Sequence, residues 1–110
     1  MAKRTFTLTA DGDTLIRTIP RLSDNNFFAT IFCTGTFGSG TVTIKLSPDG
    51  GTTKVDAADA AGTVAFTAAG VKNLETGYGS NNSTDDGIKV YASLAGSTNP
   101  DIDITVFDNQ

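Results

Sequence analysis

The sequence contains no histidine and no tryptophan, one cysteine and one glutamate among its 110 residues. Without histidine, catalytic triads and dyads that use an imidazole base are excluded, and so are zinc sites with histidine ligands. The single thiol, Cys33, cannot form a disulfide within the chain. It lies in an apolar run with no base to activate it, which predicts a buried structural thiol rather than a nucleophile. Composition therefore predicts a protein that is not an enzyme and uses no cofactor.

Positive charge is also scarce. Eight Lys and Arg residues stand against twelve Asp and Glu residues, so the formal net charge is −4 and the isoelectric point is near 4.4. We expect no nucleic-acid partner for a chain this acidic. Half of the cations fall within the first 21 residues, whereas the last 26 residues form an acidic segment with five aspartates. Two solvated faces explain this division, and so does a bipolar module that meets complementary charge on neighbouring subunits. The candidate contacts to such an acidic surface are Lys3, Arg4, Arg17 and Arg21.

Long hydrophobic runs are absent as well. No stretch approaches the length of a membrane-spanning helix, and the N-terminus lacks the apolar segment of a signal peptide. We therefore expect synthesis in a cytoplasm and no membrane partner. Helical periodicity is also missing, except that Ala57–Ala61 could form a short helical turn.

Alternation of apolar and polar residues is the dominant pattern. In Thr41–Ser47 the residues Val42, Ile44 and Leu46 alternate with polar ones, so one face meets a core and the other meets water. Pro48–Gly51 then reverses the chain. Seven to eight such short strands, separated by turns, predict a single all-β domain over residues 1–110, an antiparallel β-sandwich or jelly roll. The predicted strands are Arg4–Thr9, Thr14–Ile19, Phe27–Thr34, Thr41–Ser47, Thr52–Asp56, Thr63–Thr67, Ile88–Leu94 and one from Asp101 onward. The residues predicted to point inward are Val42, Ile44, Leu46, Val64, Phe66, Val90, Ile102 and Ile104. Ala68–Asn73 is predicted to be irregular and Thr76–Asp86 to be a polar loop.

The strand Phe27–Thr34 is apolar on both faces. Such a strand is either covered on both sides or uses one face for a contact with another copy. We expect it to pair with Thr41–Ser47 through the glycine turn Gly35–Gly40. The candidates for self-association are Phe27, Phe28 and Phe32, in a homo-oligomer for which a trimer is favoured and a dimer is possible. The alternative is a two-layer sandwich that hides both faces.

Three close pairs of aspartates are the remaining candidates for chemistry: Asp11 with Asp13, Asp85 with Asp86, and Asp101 with Asp103. The last pair would lie on one face of a strand and would suit Ca²⁺ if a loop carboxylate joined it. Alternatively, it keeps that face soluble and discourages edge pairing. A glycosidase pair is disfavoured because only Tyr78 and Tyr91 are available as a sugar platform. We predict no catalytic and no metal site.

One segment carries a resemblance. Gly35–Thr53 reads Gly-Thr-Phe-Gly-Ser-Gly-Thr-Val-Thr-Ile-Lys-Leu-Ser-Pro-Asp-Gly-Gly-Thr-Thr. It resembles small β-sandwich structural proteins of tailed bacteriophages, which carry Gly-Thr-Phe-Gly-x-Gly-Thr-Val-Thr, an aliphatic residue, and then Ser-Pro-Asp-Gly-Gly-Thr-Thr. Phe66–Val71 is similar to the Phe-Thr-x-x-Gly-Val step that follows in them, and Ile88–Pro100 with Ile102–Val106 is similar to their closing pair of strands. Lys54 departs from the pattern, because such proteins often carry Trp soon after the turn.

The resemblance implies a virion component on the capsid surface. Specifically, it implies a head decoration or cement protein that binds the outside of the shell, with the major capsid protein as its partner, and stabilises it. A protein that binds only the assembled shell stabilises it by mass action. A plausible mode of contact is β-augmentation by Lys3–Thr9. A tail or fibre accessory domain that binds host surface carbohydrate is the alternative, and an immunoglobulin-like adhesin fragment is a third.

Overall fold

The computed structural model describes residues 2–19, 27–59, 62–76 and 88–108. Within these ranges the chain forms eleven β-strands and no helix, which confirms the predicted all-β class. No helix that could cross a membrane occurs in this part of the chain. The long strands are β1 (Ala2–Leu8), β2 (Gly12–Ile19), β3 (Phe27–Thr36), β4 (Thr41–Ser47), β9 (Gly70–Thr76), β10 (Ile88–Ala95) and β11 (Asp101–Asp108). The two-residue strands are β5 (Val55–Asp56), β6 (Ala58–Asp59), β7 (Gly62–Thr63) and β8 (Ala65–Phe66).

The strands form two main sheets that pack face to face. Sheet A has the order β1-β11-β3-β9, sheet B has the order β2-β10-β4-β5 with β8 also paired to β4, and β6 and β7 form a small ribbon. All pairs are antiparallel. Strands from the first half of the chain pair with strands from the second half in reverse order: β1 with β11, β2 with β10, β3 with β9, and β4 with β8 and β5. This is the topology of a jelly roll, in which one long hairpin winds into two sheets. It confirms the predicted sandwich.

The core follows the period-two alternation of the strands. In β11, Ile102 and Ile104 are fully buried, whereas Asp101 and Asp103 point to solvent. Of the residues predicted to point inward, only Leu46 is half-buried, and it packs against the core. The other seven are buried: Val42, Ile44, Val64, Phe66, Val90, Ile102 and Ile104. Cys33 is also buried, as predicted, and burial raises the pKa of its thiol to about 12.

The predicted pairing of Phe27–Thr34 with Thr41–Ser47 is wrong. β3 lies in sheet A between β11 and β9, whereas β4 lies in sheet B. The turn Gly35–Gly40 therefore crosses from one sheet to the other and does not close a hairpin. Gly35 and Gly38 adopt φ values of 109° and 59°, which redirect the chain out of the plane of sheet A.

Two smaller predictions also need correction. Ala68–Asn73, predicted to be irregular, lies largely in the edge strand β9. Among residues 70–75 of this strand, whose burial is described, only Leu74 is buried, so the strand shows little apolar alternation. Ala57–Ala61 forms no helical turn over the part that is described. Instead Ala57 donates its N–H to the carbonyl of Ile44 at 2.8 Å, and β6 follows.

Candidate functional site

A buried carboxylate lies between two arginines at the open side of the sandwich, where β1 and β2 are the outer strands of their sheets. Asp108 Oδ2 accepts hydrogen bonds from Arg4 Nη1 at 3.0 Å and from Arg17 Nε at 3.2 Å. The side chain of Asp108 is completely buried, that of Arg17 is 15% exposed and that of Arg4 is 37% exposed. Arg17 Nη1 also donates to the carbonyl of Thr18 at 2.8 Å. The cluster thus connects the outer strands of the two sheets through the end of β11.

A bulge in β2 brings Arg17 into this cluster. Val90 of β10 is opposite Arg17, and the next residue, Tyr91, is opposite Leu15, so Ile16 is the extra residue. As a result Ile16 is buried and Arg17 reaches Asp108, while Leu15 is 42% exposed. Sequence reasoning missed this arrangement because it assumed strict alternation along the strand.

The structure describes three of the four cations that were predicted to contact a partner, and it places them on different faces. Lys3 is exposed on the outer face of β1, whereas Arg4 and Arg17 pair with Asp108 on the inner side. Arg21 lies outside the described residues. The Lys3 ammonium lies 5.8 Å from the centre of the Phe107 ring. All three described cations therefore have a partner within the chain, and a contact of these cations with a partner surface stays a prediction.

A cleft of about 450 Å³ runs between β1 and β2 beside this cluster. Because β1 is paired only with β11, the backbone groups along its other edge have no strand partner among the described residues. The lining of the cleft includes two arginines and three apolar side chains. We call it the β1–β2 cleft, and it is lined by Arg4, Thr5, Phe6, Leu15, Ile16, Arg17 and Thr18.

The outer face of sheet A carries an aromatic patch. Phe28 is 49% exposed, Phe32 is 40% exposed and Val71 is 53% exposed. The ring of Phe32 packs edge-to-face on that of Phe107, with 5.8 Å between the centroids. The sandwich therefore hides only the inner face of β3, and the alternative in which both faces are covered is wrong for the isolated chain. The side chain of Phe27 lies outside the described residues. We use the name aromatic patch for Phe28, Phe32, Val71 and Phe107.

Two of the motif segments meet at one end of the sandwich. Thr98 donates its N–H to the carbonyl of Gly38 at 2.9 Å, and a Cβ placed on Gly38 would lie 2.1 Å from the carbonyl oxygen of Thr98. The carboxylate of Asp11 accepts hydrogen bonds from the hydroxyl of Ser97 and from the backbone N–H groups of Ser97 at 3.1 Å and Gly96 at 3.2 Å. These bonds lower the pKa of Asp11. The glycines of Gly35–Gly40 thus serve close loop packing.

The turn after β4 is held by its own side chains. The buried hydroxyl of Ser47 accepts the N–H of Gly51 at 2.8 Å and donates to Asp49 Oδ1 at 3.0 Å. Asp49 Oδ1 also accepts the N–H of Thr53 at 2.8 Å, and this bond is the main reason for its lowered pKa. Thr53 is thereby drawn into the turn, so the strand predicted from Thr52 begins only at Val55.

Lys54 covers Tyr91 on the outer face of sheet B. Its Nζ lies 4.7 Å from the centre of the Tyr91 ring and 3.2 Å from Asp13 Oδ2. A Cβ on Gly51 would lie 2.5 Å from the Tyr91 hydroxyl, so the turn closes over the ring from another side. A covered ring offers little surface for a sugar to stack on. Tyr78, the other tyrosine considered as a platform, lies outside the described residues.

The predicted carboxylate pairs do not gather into a metal site where they are described. Asp103 accepts a hydrogen bond from the hydroxyl of Thr7 at 2.9 Å. No group of three or more His, Cys, Asp or Glu side chains that could hold a metal ion occurs in residues 2–19, 27–59, 62–76 and 88–108. Asp85 and Asp86 lie outside these ranges. Comparisons of the sequence with protein-family models, with curated proteins and with solved structures found no match.

Proposed function

We propose that the protein is a structural component of a tailed-bacteriophage virion, a head decoration or cement protein that binds the outside of the assembled capsid and stabilises it. One observation carries the proposal: the three segments that resemble phage structural proteins are neighbours in the fold. Val42 is opposite Phe66 on one side and Leu94 on the other, and Thr98 bonds to Gly38. The resemblance therefore covers one contiguous packed unit. Separate, generic turns would not have to lie together.

The fold is compatible with this role. Jelly rolls are common in viral capsid proteins, although they also occur in lectins and in enzymes. A protein that binds only the assembled shell adds about 2.7 kcal/mol per site when its free concentration is roughly 100 times the Kd. A small rigid sandwich needs no chemistry to do this, because the effect depends only on bridging neighbouring subunits.

The aromatic patch supports self-association as part of the same proposal. Three apolar side chains of this patch are 40% or more exposed on the outer face of sheet A. Burying such a face against another copy is favourable by about 25 cal/mol for each Å² of apolar area. We propose a homo-oligomer held by Phe28 and Phe32, with a trimer favoured, and we expect Phe32→Ser with Phe28→Ser to shift the protein to a monomer in light scattering. An oligomer unchanged by this double variant would assign the contact to another surface.

Binding to undecorated heads tests the main proposal. Purified protein is mixed with heads that lack it, the heads are sedimented, and the copies bound per head are counted. We expect saturable binding to many equivalent sites and a higher temperature of head disruption. Lys3→Glu, which changes an exposed cation, should weaken binding more than Lys72→Glu on β9. Protein that stays in the supernatant while it labels tail tips would support the alternative, a tail or fibre domain that binds host carbohydrate.

A further inference from the structure

The outer edge of β1 is an unfilled position in sheet A. β1 pairs with β11 over seven consecutive residues on one side, and no described strand pairs with it on the other. An exposed strand edge presents a row of unpaired N–H and C=O groups that can accept another strand. The opposite edge strand of the same sheet, β9, pairs only with β3 among the described strands, but the β6–β7 ribbon lies close to it.

The chemistry of the β1–β2 cleft selects the side chains of such a strand. Leu8 is buried, so the alternation of β1 places Arg4 and Phe6 on the inner face of this strand, toward the cleft. The guanidinium groups of Arg4 and Arg17 and the carboxylate of Asp108 together carry one positive charge. The ammonium of Lys89 adds another cation near this end of the cleft, where it donates to the hydroxyl of Thr18 at 3.5 Å. The bond from Arg4 to Asp108 uses Nη1, and a guanidinium has further N–H donors for a second carboxylate.

Beyond Arg4 the cleft becomes apolar. Phe6 is partly buried against the core, and Leu15, turned outward by the bulge in β2, is 42% exposed. A strand lying in the cleft would therefore place a carboxylate near Arg4 and, at the next positions on the same face, aliphatic side chains near Phe6 and Leu15. Like the native partner of β1, it would alternate polar and apolar residues.

We infer that the β1–β2 cleft receives an extended segment of another protein chain, which adds to the free edge of β1 and presents a carboxylate to Arg4. The occupant is an acidic, alternating strand of a partner. In the proposed virion it belongs to the capsid protein, and that assignment alone rests on the proposed function. The cations of β1 have a second possible use, since charge on an edge strand discourages aggregation. That role requires no preference for an acidic ligand and no role for Arg4 in particular.

A capped peptide of the required pattern tests the inference without phage heads. The probe is acetyl-Thr-Glu-Thr-Val-Thr-Leu-Thr-amide, which places Glu, Val and Leu on one face of a strand. Its controls are the same peptide with Lys in place of Glu, and the Glu peptide with N-methyl groups on alternate backbone nitrogens. Binding is measured by calorimetry and by amide hydrogen exchange of the whole protein. We expect the Glu peptide to bind about tenfold more tightly than the Lys peptide and to slow exchange in Ala2–Leu8 but not in β9.

Two variants identify the cation that binds the glutamate carboxylate of the peptide. Arg4→Gln removes the inner cation while Arg17 still pairs with Asp108, and Lys3→Gln removes the neighbouring cation on the outer face. We expect the preference for Glu over Lys to fall to about twofold in Arg4→Gln and to persist in Lys3→Gln, with both variants folded by circular dichroism. If Arg4→Gln does not fold, the two peptides on the unaltered protein still decide the question. Equal binding of both peptides, binding that survives N-methylation, protection outside β1, or no binding would each overturn the inference and leave the head-binding proposal standing.

Discussion

Neutralising Asp108 is expected to destabilise the fold far more than neutralising an exposed carboxylate of the same strand. In Asp108→Asn the two guanidinium groups of Arg4 and Arg17 lose the charge between them, and both lie on the inner side of the sandwich. Removing one partner of a buried ion pair costs about 3–5 kcal/mol. Arg4 is 37% exposed, so water screens part of the repulsion between the two guanidinium groups. We therefore expect Asp108→Asn to lower the free energy of unfolding by about 2–4 kcal/mol.

The matched control is Asp103→Asn. Asp103 lies on β11 as well, but its carboxylate is exposed and bonds only to the Thr7 hydroxyl among the contacts described above. Such an exposed group should contribute about 0–1 kcal/mol. The free energy of unfolding is measured in urea by far-ultraviolet circular dichroism, and the slope with urea should be unchanged. A loss of about 3 kcal/mol corresponds to a fall in Tm of about 12 °C or more for a domain of this size.

The cluster as a unit is tested by adding Arg17→Gln to Asp108→Asn. Once the carboxylate charge is gone, removing one guanidinium relieves repulsion, so the double variant should be less unstable than the sum of the single variants. Equal destabilisation by Asp108→Asn and Asp103→Asn would refute the reasoning, because it would mean that the carboxylate at the end of β11 is not held between the sheets.

Three further predictions concern the core, the loops and pH. Ile44→Ala should lower the free energy of unfolding by about 2–5 kcal/mol because the side chain is fully buried; a urea curve that shifts by less than about 0.5 kcal/mol would mean that the inward face of β4 is wrongly assigned. Gly38→Ala should lower the free energy of unfolding by more than about 1 kcal/mol in the same assay. Residue 38 has a φ of 59°, and its new Cβ would clash with the carbonyl oxygen of Thr98. Gly50→Ala is the control, because Gly50 also has a positive φ but has open space around the added Cβ. Equal losses of stability in the two variants would rule out the close approach of residue 38 to the Thr98 carbonyl. Asp11 has a pKa below its ordinary value of 3.8, so its hydrogen bonds stabilise the fold above that pH and the effect is lost as the pH falls through the folded-state pKa. The stability difference between the native protein and Asp11→Ala should therefore be present at neutral pH and shrink in acid, and a difference constant down to about pH 2 would contradict it.

Local patterns in the sequence determined much of the fold. The bounds of β4 are the predicted ones because strict alternation is followed at once by a proline-glycine turn. The turn Gly35–Gly40 was recognised as a reversal, but the sequence does not specify whether a glycine turn stays within one sheet. That choice depends on the contact with Thr98, which is distant along the chain. The edge strand β9 was missed because an edge strand needs few apolar residues.

The candidate site was harder to predict for a related reason. Arg4 and Arg17 were identified as cations, but their contact with Asp108 depends on a register that brings Ala2 opposite Asp108, near the two ends of the chain. It also depends on a one-residue bulge in β2, which shifts every side chain beyond it and leaves no clear mark on the alternation. By contrast, Phe28 and Phe32 were correctly identified as unusual, since a strand that is apolar on both faces must either be covered twice or expose one face.

The central claim is most directly tested by a reconstruction of undecorated heads incubated with the purified protein. We expect additional density outside the shell at symmetry-equivalent positions, into which the two-sheet sandwich fits as a rigid body. The free edge of β1 should face a capsid segment. Heads without added density, together with specific labelling of the tail, would contradict the account.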